Sequence, residues 1–174
     1  IFCKNYGGKL YGIITLIQLI DFYKNKLPIC KIDDKPKYPW RGMHLDCARQ
    51  FYSIHEIKRI LDYMALFKIN RFHWHLTDNE AWRIEIKSLP NLTKFGSYRG
   101  YNMAVPPFYG SGYEKYGGYY SHEDIKNLIY YAKNLNIEIM PEIDLPAHSW
   151  ALLQVMPELR DQKSNIISED VGSY

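Results

Sequence analysis

Ile69-Asn-Arg-Phe-His-Trp-His-Leu-Thr-Asp78 is the stretch that decides the fold. Its β-branched and aromatic residues through Leu76 read as a strand, and it ends on the acid Asp78. On its N-terminal side, Ser53 and Glu56 form a capping box, and Ile54, Ile57, Ile60, Leu61 and Met64 recur at helical spacing. The spacing predicts a helix over 54–67, and Met43–Asp46 before it reads as a shorter strand. On its C-terminal side, Ser121 with Asp124 caps a second helix, striped by Ile125, Leu128, Ile129 and Ala132. Ile137–Ile143 is a third strand, closed by Asp144-Leu-Pro146, and residues 148–156 resume helical character. Strand and helix alternating in this way give an α/β fold of βα units around a parallel sheet.

Periodicity does not separate a closed barrel from an open doubly wound sheet. The strand ends lean towards a barrel. Asp46 and Arg49 follow the first strand, His75 and Asp78 the second, and Asp144 and His148 the third. In a barrel that rim is the active face, and closure takes eight strands and roughly 250 residues. Outside these units, Tyr11–Tyr23 carries Ile13, Leu16, Ile17 and Ile20 at helical spacing behind a turn-rich Tyr6-Gly-Gly8. Pro28, Pro36 and Pro39 mark an irregular connector, with a boundary near residue 38. Asn79–Tyr120 has no sustained period and reads as a functional loop with room for a short helix or hairpin.

Composition excludes several classes. The net charge of +3 is spread without a basic stripe, which argues against nucleic acid. The apolar run Tyr11–Ile20 is too short for a membrane span. Three cysteines, Cys3, Cys30 and Cys47, fit neither a disulfide framework nor a zinc pattern, and Cys47 reads as a small core residue. Sixteen tyrosines suit surfaces that hold polar rings, although composition by itself favours ordinary packing. Ile1 is not an initiator Met, so the chain reads as a piece of a longer polypeptide, its compartment undetermined.

Two clusters could carry chemistry. His73 and His75 lie two apart, on one face of a strand, as a metal-binding pair would. A metal-dependent hydrolase using His73 and His75 is the sharp reading, with His148 available although its spacing fits no metal motif; histidines hydrogen-bonded inside the fold are the plainer one. Glu142 and Asp144 stand two apart at the third strand's end, and Glu142 reads as fixed by a basic neighbour. Arg41, just before the first strand, is by itself an ordinary charge, although a guanidinium fork can hold two sugar hydroxyls.

The order of four blocks is more telling. Tyr38-Pro-Trp-Arg-Gly-Met-His-Leu-Asp-Cys-Ala-Arg49, Phe72-His-Trp-His-Leu-Thr-Asp-Asn-Glu-Ala-Trp-Arg-Ile-Glu-Ile-Lys87, Gly118-Tyr-Tyr-Ser121 and Met140-Pro-Glu-Ile-Asp-Leu-Pro-Ala-His-Ser149 closely resemble glycoside hydrolase family 20, the β-N-acetylhexosaminidases and chitobiases. The resemblance implies a (β/α)8 TIM barrel, its first three βα units in residues 38–174, with residues 1–37 the end of a preceding small α/β domain. It implies release of terminal β-linked N-acetylglucosamine or N-acetylgalactosamine from an oligosaccharide, by substrate-assisted retaining catalysis without metal or cofactor. In that mechanism the 2-acetamido oxygen attacks the anomeric carbon while an enzyme Glu protonates the leaving oxygen. By motif position, Arg41 grips the 3- and 4-hydroxyls, Asp78 and His148 form a relay supporting the acid, and Asp144 lines or braces the pocket. A secreted, periplasmic or lysosomal location would suit the family.

Two departures and one absence stand out. Ala147 replaces the family's Gly in Pro-Gly-His, which would strain the chain if that residue needs positive φ. Asn79 replaces a second Asp. The family's adjacent Asp-Glu pair belongs on a fourth strand and occurs nowhere in these 174 residues; Glu169-Asp170 has the reverse order. The chain by itself is therefore expected to be inactive, with exposed strand edges that call for the remaining barrel strands or self-association. A non-catalytic saccharide-binding relative is the alternative.

Overall fold

A computed structural model describes residues 1–24 and 26–160. Glu169-Asp170 lies outside the described residues. Three parallel strands form the central sheet: β1 (Gly42–Asp46), β2 (Arg71–His75) and, last in the chain, β7 (Glu138–Glu142), in the order β1-β2-β7. His44 pairs with His73, Asp46 with His75, and His75 with Glu142, so the three C-terminal ends are level.

Alternation along each strand sorts the side chains into two faces. Phe72 and Trp74 point to one face and are buried with Ile57, Leu61 and Met64 of α2 (Ile54–Leu66) and Leu128 and Ala132 of α4 (His122–Asn134). The i, i+4, i+7 spacing of Ile57, Leu61 and Met64 builds the stripe that covers the sheet, and burying one such side chain contributes about 1.5–3 kcal/mol. The opposite face carries His44, Asp46, His73, His75, Met140 and Glu142.

Both capping boxes form, Ser53 with Glu56 and Ser121 with Asp124. The far ends are equally definite. Lys68 and Asn136 take positive φ, and the amides of Ile69 and Ile137 bond back to Met64 and Ala132. Each helix thus ends in a Schellman turn that launches the next strand.

The segment 79–120 holds more structure than its composition suggests. β3 (Thr77–Asp78) and β4 (Ala81–Trp82) make one antiparallel pair, α3 (Asn91–Lys94) follows, and β5 (Tyr98–Arg99) pairs with β6 (Tyr116–Gly117). α5 (Trp150–Val155) and a 3-10 turn complete the described chain.

The first helix, α1 (Tyr6–Phe22), starts earlier than expected, because Asn5 accepts a hydrogen bond from the Gly8 amide and caps it. Its apolar residues do not form the expected buried stripe. Ile13, Leu16 and Ile17 are exposed, and only Gly7 and Ile14 are buried. Hydrophobic residues occur around most of this helix, so spacing alone did not select a face. Polar contacts tie it to the N-terminal end of the sheet: Tyr6 to Asn134, Gln18 to Leu66, Tyr11 to Arg41 and Asn136. Among the described residues no helix is long and apolar enough to cross a membrane.

Candidate functional site

Asp78 is the hub of a charged cluster at the C-terminal end of the sheet. Its carboxylate, 2% exposed, accepts three hydrogen bonds and pairs with one arginine. His75 Nε2 (2.9 Å) and Arg49 Nη2 (2.8 Å) reach Oδ2; the Asn79 amide (2.7 Å) and His148 Nδ1 (3.1 Å) reach Oδ1. Burial favours the neutral acid, but these donors outweigh it and hold Asp78 below the usual carboxylate range.

His75 bridges two acids. Its Nδ1 lies 2.7 Å from Glu142 and its Nε2 2.9 Å from Asp78. Burial would lower its pKa, yet the Asp78 and Glu142 hydrogen bonds push it up to about 9. At neutral pH it is an imidazolium donating from both nitrogens. Glu142 also receives His73 Nε2 at 2.7 Å, the basic-neighbour network expected for it. The sharp metal reading therefore loses His75 as a ligand, because both its ring nitrogens are committed to carboxylates.

Arg49 is the cation of the rim. It spans Asp46 (2.9 Å), Asp78 (2.8 Å) and Glu80 (3.1 Å). Asp46 in turn accepts the amides of Ala48 and Arg49, which fixes the turn that leaves β1. Burial first, and then the charge of Asp78, raise the pKa of Glu80 against the pull of Arg49.

Arg41, expected to share this mouth, does not. It precedes β1, five residues before Asp46, which at about 3.3 Å per residue puts it roughly 16 Å away. Its guanidinium donates to the carbonyls of Lys68 (2.7 Å) and Tyr38 (2.7 Å) and to the Tyr11 hydroxyl (3.2 Å). A cleft of about 690 Å³ at that end, between α1 and the connector, is lined by Tyr11, Asp34, Arg41 and Lys68 and holds none of Asp78, Asp144 or His148. The expectation for Arg41 is thus corrected: strand direction puts it at the N-terminal end of the sheet. The arginine that meets Asp78 is Arg49, which the strand-end pattern had already put on the rim.

Asp144 and His148 do reach it. The carboxylate of Asp144 stands within 4.8 Å of ligand atoms of Asp78 and His148, and its amide donates to Thr77 Oγ1 at 2.9 Å. Ala147 does not have positive φ; His148 does, at 51°. The unusual backbone of the Pro146-Ala-His148 turn therefore sits on the histidine that faces Asp78. Asn79 accepts the Trp150 amide at 3.1 Å and so caps α5.

One residue was not singled out from the sequence at all. Arg83 is 0% exposed, has no carboxylate partner among the described residues, and donates to the carbonyls of Cys47 (2.9 Å), Ala48 (2.9 Å), Gly118 (3.0 Å) and Ser97. It ties the turn holding Arg49 to the 97–118 loops. Burial, reinforced by Arg99, lowers its pKa to about 10.

Residues 38–173 match the glycosyl hydrolase family 20 catalytic domain. The chain belongs to glycoside hydrolase family 20. It is 45% identical over 153 residues to a β-hexosaminidase of Vibrio furnissii, covering 87% of this chain and 25% of that one. It is 40% identical over 177 residues to a β-hexosaminidase of Porphyromonas gingivalis, covering 94% of this chain and 22% of that one. The crystal structure of the family 20 exo-β-N-acetylglucosaminidase of Vibrio harveyi in complex with N-acetylglucosamine superposes with a TM-score of 0.83 at 39% identity, over 91% of this chain and 26% of that one. The chain thus spans about a quarter of these relatives. The family 20 likeness joins it to TIM-barrel glycoside hydrolases, and the parallel βα units agree with that class.

Proposed function

We propose that this chain supplies the first three βα units of a (β/α)8 barrel that removes terminal β-linked N-acetylhexosamine from oligosaccharides. Residues 1–37 close a preceding small domain, and further strands complete the barrel. One observation carries the reading: Asp46, Arg49, Asp78, Glu80 and His148, from different βα loops, converge at one end of a parallel sheet. That is where a barrel enzyme does its chemistry.

The roles follow from the contacts. An arginine has five N–H donors, and at rest Arg49 is ion-paired to three carboxylates, one at each of its nitrogens. Its remaining donors, unclaimed among the described residues, hold adjacent hydroxyls of a terminal sugar, the role that Arg41 is too distant to fill. Asp78 orients His148, whose imidazole in turn supports the acid Glu on a later strand. Asp144 braces the same mouth. The reaction is substrate-assisted: the acetamido oxygen attacks the anomeric carbon, and the Glu protonates the departing oxygen.

The acid pair is not among these 174 residues, so the isolated chain should bind sugar without cleaving it. The test is N-acetylglucosamine titration followed by histidine and tryptophan NMR signals, beside a chromogenic N-acetylglucosaminide assay. Shifts at His75 and His148 that vanish in Arg49→Met and persist in Arg41→Met support the reading. Shifts lost only in Arg41→Met, or hydrolysis by the pure chain, would sink it. A saccharide-binding relative without catalysis is the second reading. The two separate when the remaining strands of the polypeptide are supplied: turnover selects the enzyme.

A further inference from the structure

We infer that the face of the sheet opposite the helices carries a divalent transition-metal site formed by His44, His73 and Glu142. It goes beyond the glycosidase reading, whose chemistry needs no metal. His44 and His73 are direct register partners on β1 and β2, and their rings meet edge to face with centroids 4.7 Å apart. Their Nε2 atoms lie 3.9 Å and 2.7 Å from Glu142 Oε2 on the third strand, and one ligand atom from each residue falls within 4.8 Å of the other two. Zinc bonds of about 2.0–2.1 Å at a tetrahedral angle separate ligand atoms by about 3.3 Å. The observed separations straddle that value, so small side-chain rotations suffice and no backbone movement is needed.

Ligand chemistry agrees. Two imidazoles and one carboxylate suit zinc, cobalt or nickel and leave an open position for water. The carboxylate is oriented from behind, because Glu142 Oε2 accepts from His75 Nδ1 (2.7 Å) and His75 is itself held by Asp78 (2.9 Å). The three ligands come from three parallel strands, so the ion would pin the sheet from the side the helices do not cover. This ligand set differs from the one the His73–His75 pair suggests: His44 replaces His75.

Cobalt(II) titration of the full chain tests this, read by visible absorption, with zinc displacement by calorimetry. The expected result is one ion per chain and an absorption band of tetrahedral or five-coordinate cobalt. His44→Ala and His73→Ala should each weaken binding about 100-fold or more, since loss of an outer partner alone costs about 10–100-fold. His55→Ala, on the outer surface of α2, should leave it unchanged. Far-UV circular dichroism establishes that each variant is folded. Absence of a saturable one-to-one cobalt signal at millimolar metal overturns the site, as does equal affinity in wild type, His44→Ala and His73→Ala. Sugar binding lost in Arg49→Met with cobalt binding retained separates this inference from the glycosidase reading.

Discussion

Replacing Arg83 with Met tests the physical account of the rim most directly. Arg83 is wholly buried and its fork reaches the carbonyls of Cys47, Ala48, Ser97 and Gly118. Hydrogen bonds from a charged donor contribute about 1.5–3 kcal/mol each, and a buried acceptor left unpaired costs about 1–3 kcal/mol. Against this, Met removes the desolvation penalty of a buried cation, several kcal/mol. The acceptors are four and the relieved cation is one, so the balance is destabilising. Water entering the vacated space satisfies some of the carbonyls and limits the net loss to about 3–5 kcal/mol, on the order of two acceptors left unpaired. Folded domains have about 5–15 kcal/mol in total, so the variant should be close to unfolding. Urea unfolding followed by tryptophan fluorescence measures this, with the m-value showing whether the transition stays two-state. Arg83→Lys, which keeps the charge and loses the fork, should fall between. An Arg83→Met midpoint within about 1 kcal/mol of wild type would refute the idea that this guanidinium holds the loops together.

Three further outcomes are expected. His75, raised to about 9 against an ordinary 6.5, contributes stability that is complete below pH 6.5 and lost as pH rises through 9; the loss, on the order of 3 kcal/mol, is read by unfolding at pH 6 and pH 9.5 with chelator present, and a flat profile contradicts the doubly bridged imidazolium. Cys3 and Cys30 are exposed while Cys47 is buried, and burial pushes the Cys47 thiol up to about 11; a thiol reagent at pH 8 should modify two cysteines quickly and the third only on unfolding, and three fast reactions would place Cys47 outside the core. Because Ala147 lacks positive φ, Ala147→Gly should lower stability through the entropy of the unfolded chain by about 0.4–1 kcal/mol, read as a lower melting temperature; a rise would mean that Ala147 itself is strained.

The elements whose signals are local were legible. Ser53 with Glu56 and Ser121 with Asp124 announce helix starts because the capping side chain and the amide it satisfies lie three residues apart. The alternation of Phe72 and Trp74 with His73 and His75 announces two faces, since the period of a strand is two. Asp78 and His148 are 70 residues apart in the chain, and their expected meeting rested on resemblance; the structure brings them to 3.1 Å. The role expected of Arg41 came from motif position in the resemblance, whereas its place just before β1 puts it at the N-terminal end of the sheet, away from Asp78.

By itself the sequence determined the kind of element at each position, the parallel βα order and the identity of the polar residues that follow each strand. These depend on period, caps and turns, which are properties of neighbours along the chain. Only the tertiary structure decided that Arg49 rather than Arg41 meets Asp78, that Arg83 is buried among carbonyls, and that His44 stands beside His73 and Glu142. Those facts depend on strand direction, register and burial, and no residue carries them until distant segments pack together.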